Sequence, residues 1–346
     1  MESVALSDQS PTDGRRLGSR SENILAAIDL GTNNCRLLIA RAQGKEFRVI
    51  DAFSRIVRLG EGVVRTGRLA EPAMARAVAA LAVCASKMQR RNVERSRIVA
   101  TEACRRAENF EQFRARVRRQ TGLTLEVISP EEEARLALAG CAPLLDPRLD
   151  YALVFDIGGG STELMWLAVR SDGSPLLLAS ISLPLGVVTL SERYGGDRVP
   201  VQVYEDMVAE VTDQLTAFDT AHGIRRMVEK GGVQMLGSSG TVTTLTGVFR
   251  NLPRYDRTVV DGSFLDFASA RRISRGLLAM SCAERAAHPC IGQERADLVV
   301  AGCAVLEAIC RLWPVGRLRV ADRGVREGIL MDLLLADGRA PRYTAG

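Results

Sequence analysis

Histidine is nearly absent: His222 and His288 are the two in a chain of 346 residues. That scarcity nearly excludes zinc hydrolases with histidine ligands, His/Asp di-metal phosphohydrolases and Ser-His-Asp triads, which need imidazole at fixed positions. Neither histidine falls in a motif; one precedes Gly223 at an expected helix end and the other precedes Pro289 in a loop. Lysine is almost as scarce, with Lys45, Lys87 and Lys230 against 43 arginines. The net charge of +5 and the pI of about 8.9 therefore rest on guanidinium groups, which favour anionic partners, although genome composition also drives arginine excess. The eight cysteines contain no CxxC pair and sit mostly in apolar stretches, the pattern of reduced core thiols in a cytoplasmic protein. No apolar run reaches the roughly 18 residues of a membrane span, so no membrane partner is expected. Residues 1–22 are polar, rich in Ser and Arg, and lack a signal-type apolar region; the expectation is a disordered tail.

What is present is an ordinary soluble balance, 47% hydrophobic and 25% charged, in a length that suits two domains of roughly 100–200 residues. A repeat organises them. Residues 28–39 read Ile-Asp-Leu-Gly-Thr-Asn-Asn-Cys-Arg-Leu-Leu-Ile, and residues 155–166 read Phe-Asp-Ile-Gly-Gly-Gly-Ser-Thr-Glu-Leu-Met-Trp. In each, an apolar run stops at Asp-x-Gly, turns through small polar residues and resumes, the pattern of a β-hairpin. Two such hairpins imply two α/β domains that open with the same device. In the first half the pattern continues as a strand over 47–59, a helix over 72–90, a strand over 97–101, an arginine-rich helix over 110–120, a strand over 125–128 and a helix from 129. Residues 142–150 carry two prolines and two aspartates and read as the linker. The second half adds helices over 201–221 and 294–312, a strand over 234–240 entering a Gly/Ser loop, and a last strand and helix over 318–321 and 326–335.

Both hairpin turns offer backbone N–H groups to an anion, at Gly31 and at Gly158, Gly159 and Gly160, with short donors from Thr32, Asn33, Asn34, Ser161 and Thr162. Asp29 and Asp156 end the preceding strands. A carboxylate beside a phosphate cradle calls for a cation between them, and Mg²⁺ suits an oxygen-only shell. Gly237, Ser238, Ser239, Gly240 and Thr241 form a third Gly/Ser/Thr loop at a strand–helix junction, a place where helix N-terminal amides hold phosphate, though a plain turn reads the same way. In 128–136, Ser129 is the N-cap, Pro130 suits the first helical position, Glu132 completes a capping box and Glu131 pairs with Arg135. Glu133 is left without a structural duty. It shares a helical face with Leu136, Ala137 and Gly140, so it points inward and suits a general base for water. Arg105, just beyond a strand end, is placed to stabilise a phosphoryl group, and Arg114, Arg116, Arg118 and Arg119 form either a solvated basic face or a polyanion track.

These residues carry a resemblance. The chain resembles the exopolyphosphatase/guanosine pentaphosphate phosphohydrolase (Ppx/GppA) family from about residue 24 to about 335, through Ala27-Ile-Asp-Leu-Gly-Thr-Asn, Ala100-Thr-Glu-Ala-Cys-Arg, Ile128-Ser-Pro-Glu-Glu-Glu-Ala-Arg-Leu, Val154-Phe-Asp-Ile-Gly-Gly-Gly-Ser-Thr-Glu-Leu, Gly237-Ser-Ser-Gly-Thr-Val-Thr, Arg295-Ala-Asp and Gly324-Val-Arg-Glu-Gly. It departs where Asn34 replaces the usual Ser and Pro130 a frequent Gly. The resemblance implies two actin-like (ASKHA, ribonuclease H-like) α/β domains, 23–143 and 144–324, with an active-site cleft between them. A C-terminal helix in 325–346 would cross back onto the first domain. It implies Glu133 and Arg105 as catalytic residues and Asp156, with Asp29 or Glu163, around Mg²⁺. The implied form is the short one, without a His/Asp-motif domain.

The resulting expectation is an exopolyphosphatase that releases orthophosphate from the end of inorganic polyphosphate by attack of water activated by Glu133. Guanosine pentaphosphate is the alternative substrate. Rival readings are an actin-like kinase or ATPase and a non-catalytic sensor of guanosine polyphosphates. The expected partners include no nucleic acid and, by analogy with relatives, a second copy of the chain.

Overall fold

The computed structural model describes residues 23–44 and 46–336; the expected tail over 1–22 lies outside them. The first sheet is built from β1 (Ile24–Leu30), β2 (Asn34–Gln43), β3 (Glu46–Ile56), β4 (Arg95–Ala100) and β5 (Glu126–Val127), in the order β3-β2-β1-β4-β5. The second contains β6 (Tyr151–Ile157), β7 (Thr162–Val169), β8 (Pro175–Leu183), β9 (Val233–Ser238), β10 (Phe264–Asp266) and β11 (Arg317–Ala321), in the order β10-β11-β9-β6-β7-β8. In both, an antiparallel three-strand meander is joined to parallel strands through its first strand. The sequence repeat is thus the start of each meander, and each of the two α/β halves is built on its own sheet.

Helices α1 (Val63–Thr66), α2 (Glu71–Arg90), α3 (Glu102–Arg106), α4 (Phe110–Thr121) and α5 (Pro130–Cys141) belong to the first half. In the second half are α6 (Val187–Tyr194), α7 (Val201–His222), α8 (Ile224–Lys230), α9 (Gly240–Phe249), α10 (Arg257–Val260), α11 (Phe267–Ala279), α12 (Cys282–Ala287), α13 (Val299–Leu312) and α14 (Val325–Leu335).

Strand alternation sorts the core into three bodies. On β1, Ile24, Ala26, Ile28 and Leu30 join α2 and α4 in an outer core, while Leu25 and Ala27 face inward. On β6, Leu153, Phe155 and Ile157 join α7 and α13, while Ala152 and Val154 face inward. Strands buried on both faces read as the continuous apolar runs seen in the sequence. The two inward faces meet a shared core supplied by α5 and α14, with Leu136, Ala137, Ile329, Leu330 and Leu334 buried in it. Each large apolar side chain buried there contributes roughly 1.5–3 kcal/mol. The two helices touch backbone to backbone: a Cβ on Gly328 would stand 2.0 Å from the Leu136 carbonyl oxygen, and one on Gly140 2.2 Å from that of Gly324. The last helix therefore clamps the helix that carries Glu133, and it packs on β1, β2, β3 and β4 of the first sheet as well.

The structure departs from the sequence reading in places. β8 was not anticipated, since its burial is graded rather than alternating. The helix expected over 294–312 begins at Val299, and residues 293–298 form turns from which Asp297 reaches Arg58 of the first half in a two-bond pair of 2.8 and 2.9 Å. The strand expected to reach residue 59 stops at Ile56.

Candidate active site

A cavity of about 120 Å³ opens between the two sheets, room for a phosphoryl group and several waters. Both hairpin turns stand in its wall and close in the same way. The Gly31 N–H donates to the Asn34 carbonyl at 2.9 Å, and the Gly158 N–H donates to the Ser161 carbonyl at 2.9 Å. Neighbouring segments take up the turn carbonyls. Val57 and Arg58 donate to the Asn33 carbonyl, Gly60 to that of Thr32, and Val187 and Val188 at the start of α6 to those of Gly158 and Gly159. Thr32, Asn33, Gly159 and Gly160 stand in the cavity wall, and a glycine turn of this kind suits backbone N–H donation to an anion.

The glycine run has a second reason. A Cβ on Gly159 would lie 3.0 Å from Thr32 Cβ, and one on Gly160 2.7 Å from Thr32 Oγ1. The turns of the two halves dock on each other, and only glycine permits that approach. Of the third loop, Ser239, Gly240 and Thr241 line the cavity at the N-terminus of α9, where Ser239 Oγ accepts from the Val242 N–H at 3.0 Å. Gly237 instead packs on the Phe155 ring, Ser238 donates to the Arg323 carbonyl at 2.9 Å, and Thr162 donates to the Leu185 carbonyl at 2.7 Å; none of these three lines the cavity.

Four carboxylates converge on the space. Asp29 lies opposite Arg36 in the first hairpin, and Asp156 opposite Glu163 in the second. Glu133 enters from the first turn of α5. Burial raises the proton affinity of all four. Asp29 is pushed up by burial against the opposing charge of Arg36, and Asp156 is pushed up to about 7 by burial, with Arg36 opposing and Glu133 and Asp29 adding. Glu133 is raised by burial and by Glu163, with Arg105 opposing, and Glu163 by burial, with the Ser161 hydroxyl opposing. The Glu163 carboxylate accepts from Ser161 Oγ at 2.6 Å and from Ser182 Oγ at 3.0 Å.

Among the described residues, no three His, Cys, Asp or Glu side chains stand close enough together to hold a metal ion by themselves. The donor set is nonetheless all oxygen, and the buried side-chain carbonyls of Asn33 and Asn34 have no hydrogen-bond partner. Few protein oxygens, with water and phosphate completing the shell, is the arrangement that fits Mg²⁺.

Sequence reasoning missed the positive side of the cavity. Arg36 and Arg295 line it. Arg295 has a proton affinity lowered by burial and by Arg36, and makes one long bond, 3.3 Å, to Thr244 Oγ1. The hairpin register, which sets Arg36 across from Asp29, was the signal available for the first; Arg295 stood in a matching motif without an assigned role. Arg105 is the expected catalytic residue that does not line the cavity. Its Nη1 donates to Glu133 Oε2 at 2.8 Å and to the Ile128 carbonyl at 2.8 Å, and its Nε and Nη2 donate to Glu102 Oε2 at 3.2 and 3.0 Å. Two local pairings are also corrected. Ser129 Oγ accepts from the Glu132 N–H, but the Glu132 carboxylate turns to Arg97 and Arg135 rather than closing a capping box. Arg135 pairs with Glu132 and Asp332, not Glu131.

The Ppx/GppA phosphatase family model matches residues 38–337. Exopolyphosphatase 2 of Mycobacterium tuberculosis is 32% identical over 324 residues, covering 89% of this chain and 98% of that protein. A crystal structure of the Aquifex aeolicus Ppx/GppA family member is 30% identical with a TM-score of 0.75, covering 92% of this chain and 99% of that one. An exopolyphosphatase structure from Cytophaga hutchinsonii, at 24% identity and a TM-score of 0.81 over 91% and 98% of the two chains, shares the fold.

Proposed function

We propose, from the premise that this chain belongs to the Ppx/GppA phosphatase family, that it hydrolyses the terminal phosphoanhydride of inorganic polyphosphate and releases orthophosphate. The observation that carries the reading is Glu133: a helix, not a phosphate loop, brings this carboxylate to the wall of the cavity that both loops also line. With its proton affinity raised by burial and Glu163, it is tuned toward neutral pH, where a general base works best.

The terminal phosphate is held by the loop N–H groups and the N-terminus of α9, and its charge is met by Arg36 and Arg295. Glu133 orients a water in line with the scissile bond and takes its proton as the water oxygen bonds to phosphorus. The bridging P–O bond breaks, and its electrons leave on the shortened chain. Most of the acceleration comes from positioning and charge. Asp156, with Asp29 or Glu163, would hold Mg²⁺, which when bound supplies positive charge against the phosphate oxygens. The eight free cysteines fit a reduced, cytoplasmic setting, and no helix among the described residues is long and apolar enough to cross a membrane.

One observation favours guanosine pentaphosphate as a second substrate. A groove lined by Ser54, Ile56, Ile291 and Gly292 shares Arg295 with the cavity. With Gln293 and Glu294 also in its wall, it is a mostly polar recess beside the phosphate site, with hydrogen-bonding groups for a nucleoside. Phosphate release with Mg²⁺ on polyphosphate and on guanosine pentaphosphate tests both. The proposal expects the higher kcat/KM on polyphosphate; a strong preference for the nucleotide reverses the order, and ATP-dependent phosphorylation of an acceptor without hydrolysis overturns it.

A further inference from the structure

We infer that Glu102 and Arg105 form a positioning pair for the general base: Glu102 fixes the guanidinium, and the guanidinium fixes the Glu133 carboxylate. The inference rests on Glu133 being that base. Neither member of the pair lines the cavity.

Arg105 is committed to protein on both sides. One Glu102 oxygen accepts from its Nε and Nη2, while its Nη1 reaches Glu133 and the Ile128 carbonyl, the residue before the Ser129 cap of α5. The three side chains are 13–15% exposed. A guanidinium presents its donors in a rigid fork, so fixing one edge sets the direction of the other. Arg105 is the one side-chain donor to Glu133 among the described residues, and it bonds Oε2. Oε1 is left for the water. Reaching a phosphoryl group instead would require Arg105 to abandon these bonds and leave the buried Glu133 carboxylate without its paired cation, which is costly.

Glu102 also touches the opposite half. A Cβ on Gly160 would lie 3.1 Å from Glu102 Cγ, so the pair is packed against the second phosphate turn. The second Glu102 oxygen lies 3.5 Å from Arg106 Nη1. Glu102 thereby ties the direction of the base to the loop that holds the phosphate.

The test is a kinetic double-mutant cycle on the full chain, with Glu102→Gln, Glu133→Gln and both together, thermal melting run beside it. Glu102→Gln keeps the shape and should lower kcat about ten-fold, the lower end for loss of a supporting hydrogen bond, with KM unchanged. In the Glu133→Gln background it should change the residual rate less than about two-fold, because the group it positions is gone. Glu102→Asp keeps the charge and should fall between the two, and it carries the test if the Gln variant does not fold. Arg105→Lys keeps the charge but loses the fork and should match Glu102→Gln. A wild-type kcat in Glu102→Gln, an equal loss in both backgrounds, or a raised KM in Arg105→Lys overturns the pair. If Glu133→Gln itself retains activity, the general-base reading has failed rather than the pair alone.

Discussion

The two hairpins share a turn and a closing bond but not a charge. Across from its aspartate, the first carries Arg36 and the second Glu163. The first half therefore brings a carboxylate with its own counter-charge, and the second brings two buried carboxylates, of which Asp156 adds to the raised proton affinity of Glu163. A duplicated scaffold supplies two matching turns, and one cross-strand position decides whether a guanidinium or a second carboxylate stands across from the aspartate. The turns also differ in how tightly they are enclosed. A Cβ on Gly31 would meet the Asn34 carbonyl oxygen at 3.6 Å, while one on the matching Gly158 would meet that of Ser161 at 2.9 Å.

The largest break in the comparison should come from Glu163→Gln, which keeps the shape and removes the charge of the second hairpin. Its kcat should fall about 100-fold with modest change in KM; a raised KM with normal kcat would place Glu163 on the substrate instead. Next is enclosure. Gly160→Val should destabilise the fold by about 1–3 kcal/mol through the Thr32 contact, whereas Gly31→Ala should melt within a degree or two of wild type. Equal melting temperatures would show that the docked turns are not tightly packed.

The hairpins were legible in the sequence because both faces of β1 and β6 are buried and the Asp-x-Gly turn recurs. Asp29 and Asp156 were legible from the repeated glycine turns, Glu133 because its neighbours had helix-capping and pairing duties and it had none, and Glu163 only through the family resemblance. Arg36 was hidden by its position inside an apolar strand, where only register reveals its neighbour. Arg105 was found but misdirected, since nothing local in Thr-Glu-Ala-Cys-Arg shows that Glu102 and Glu133 take its donors. α11 and α12 went unread for lack of a motif.

Arg36→Ala should raise KM about ten-fold, the equivalent of ~1.4 kcal/mol, with kcat less affected. An unchanged KM would remove the first hairpin's cation from substrate binding. The pH dependence of stability sharpens the second hairpin. Folded Asp156 holds its proton up to about 7, and the unfolded chain releases it near pH 4, so the folded state binds more protons in between. Stability of the metal-free protein should fall as pH rises through that window, and Asp156→Asn should flatten the fall. A wild-type melting temperature that rises from pH 5 to 7.5 would contradict the sign. The smallest effect is expected at the Arg58–Asp297 pair, which joins the halves but is about one-third exposed. Arg58→Ala should cost at most about 1 kcal/mol; a larger loss would make the pair a structural clasp.

The most direct measurement is orthophosphate release from polyphosphate by wild type and Glu133→Gln, with polyphosphate binding measured on the same preparations. Turnover should fall about 10²–10⁴-fold while affinity stays within about two-fold. A near-wild-type rate, or a rate lost only in step with binding, would contradict Glu133 as the base.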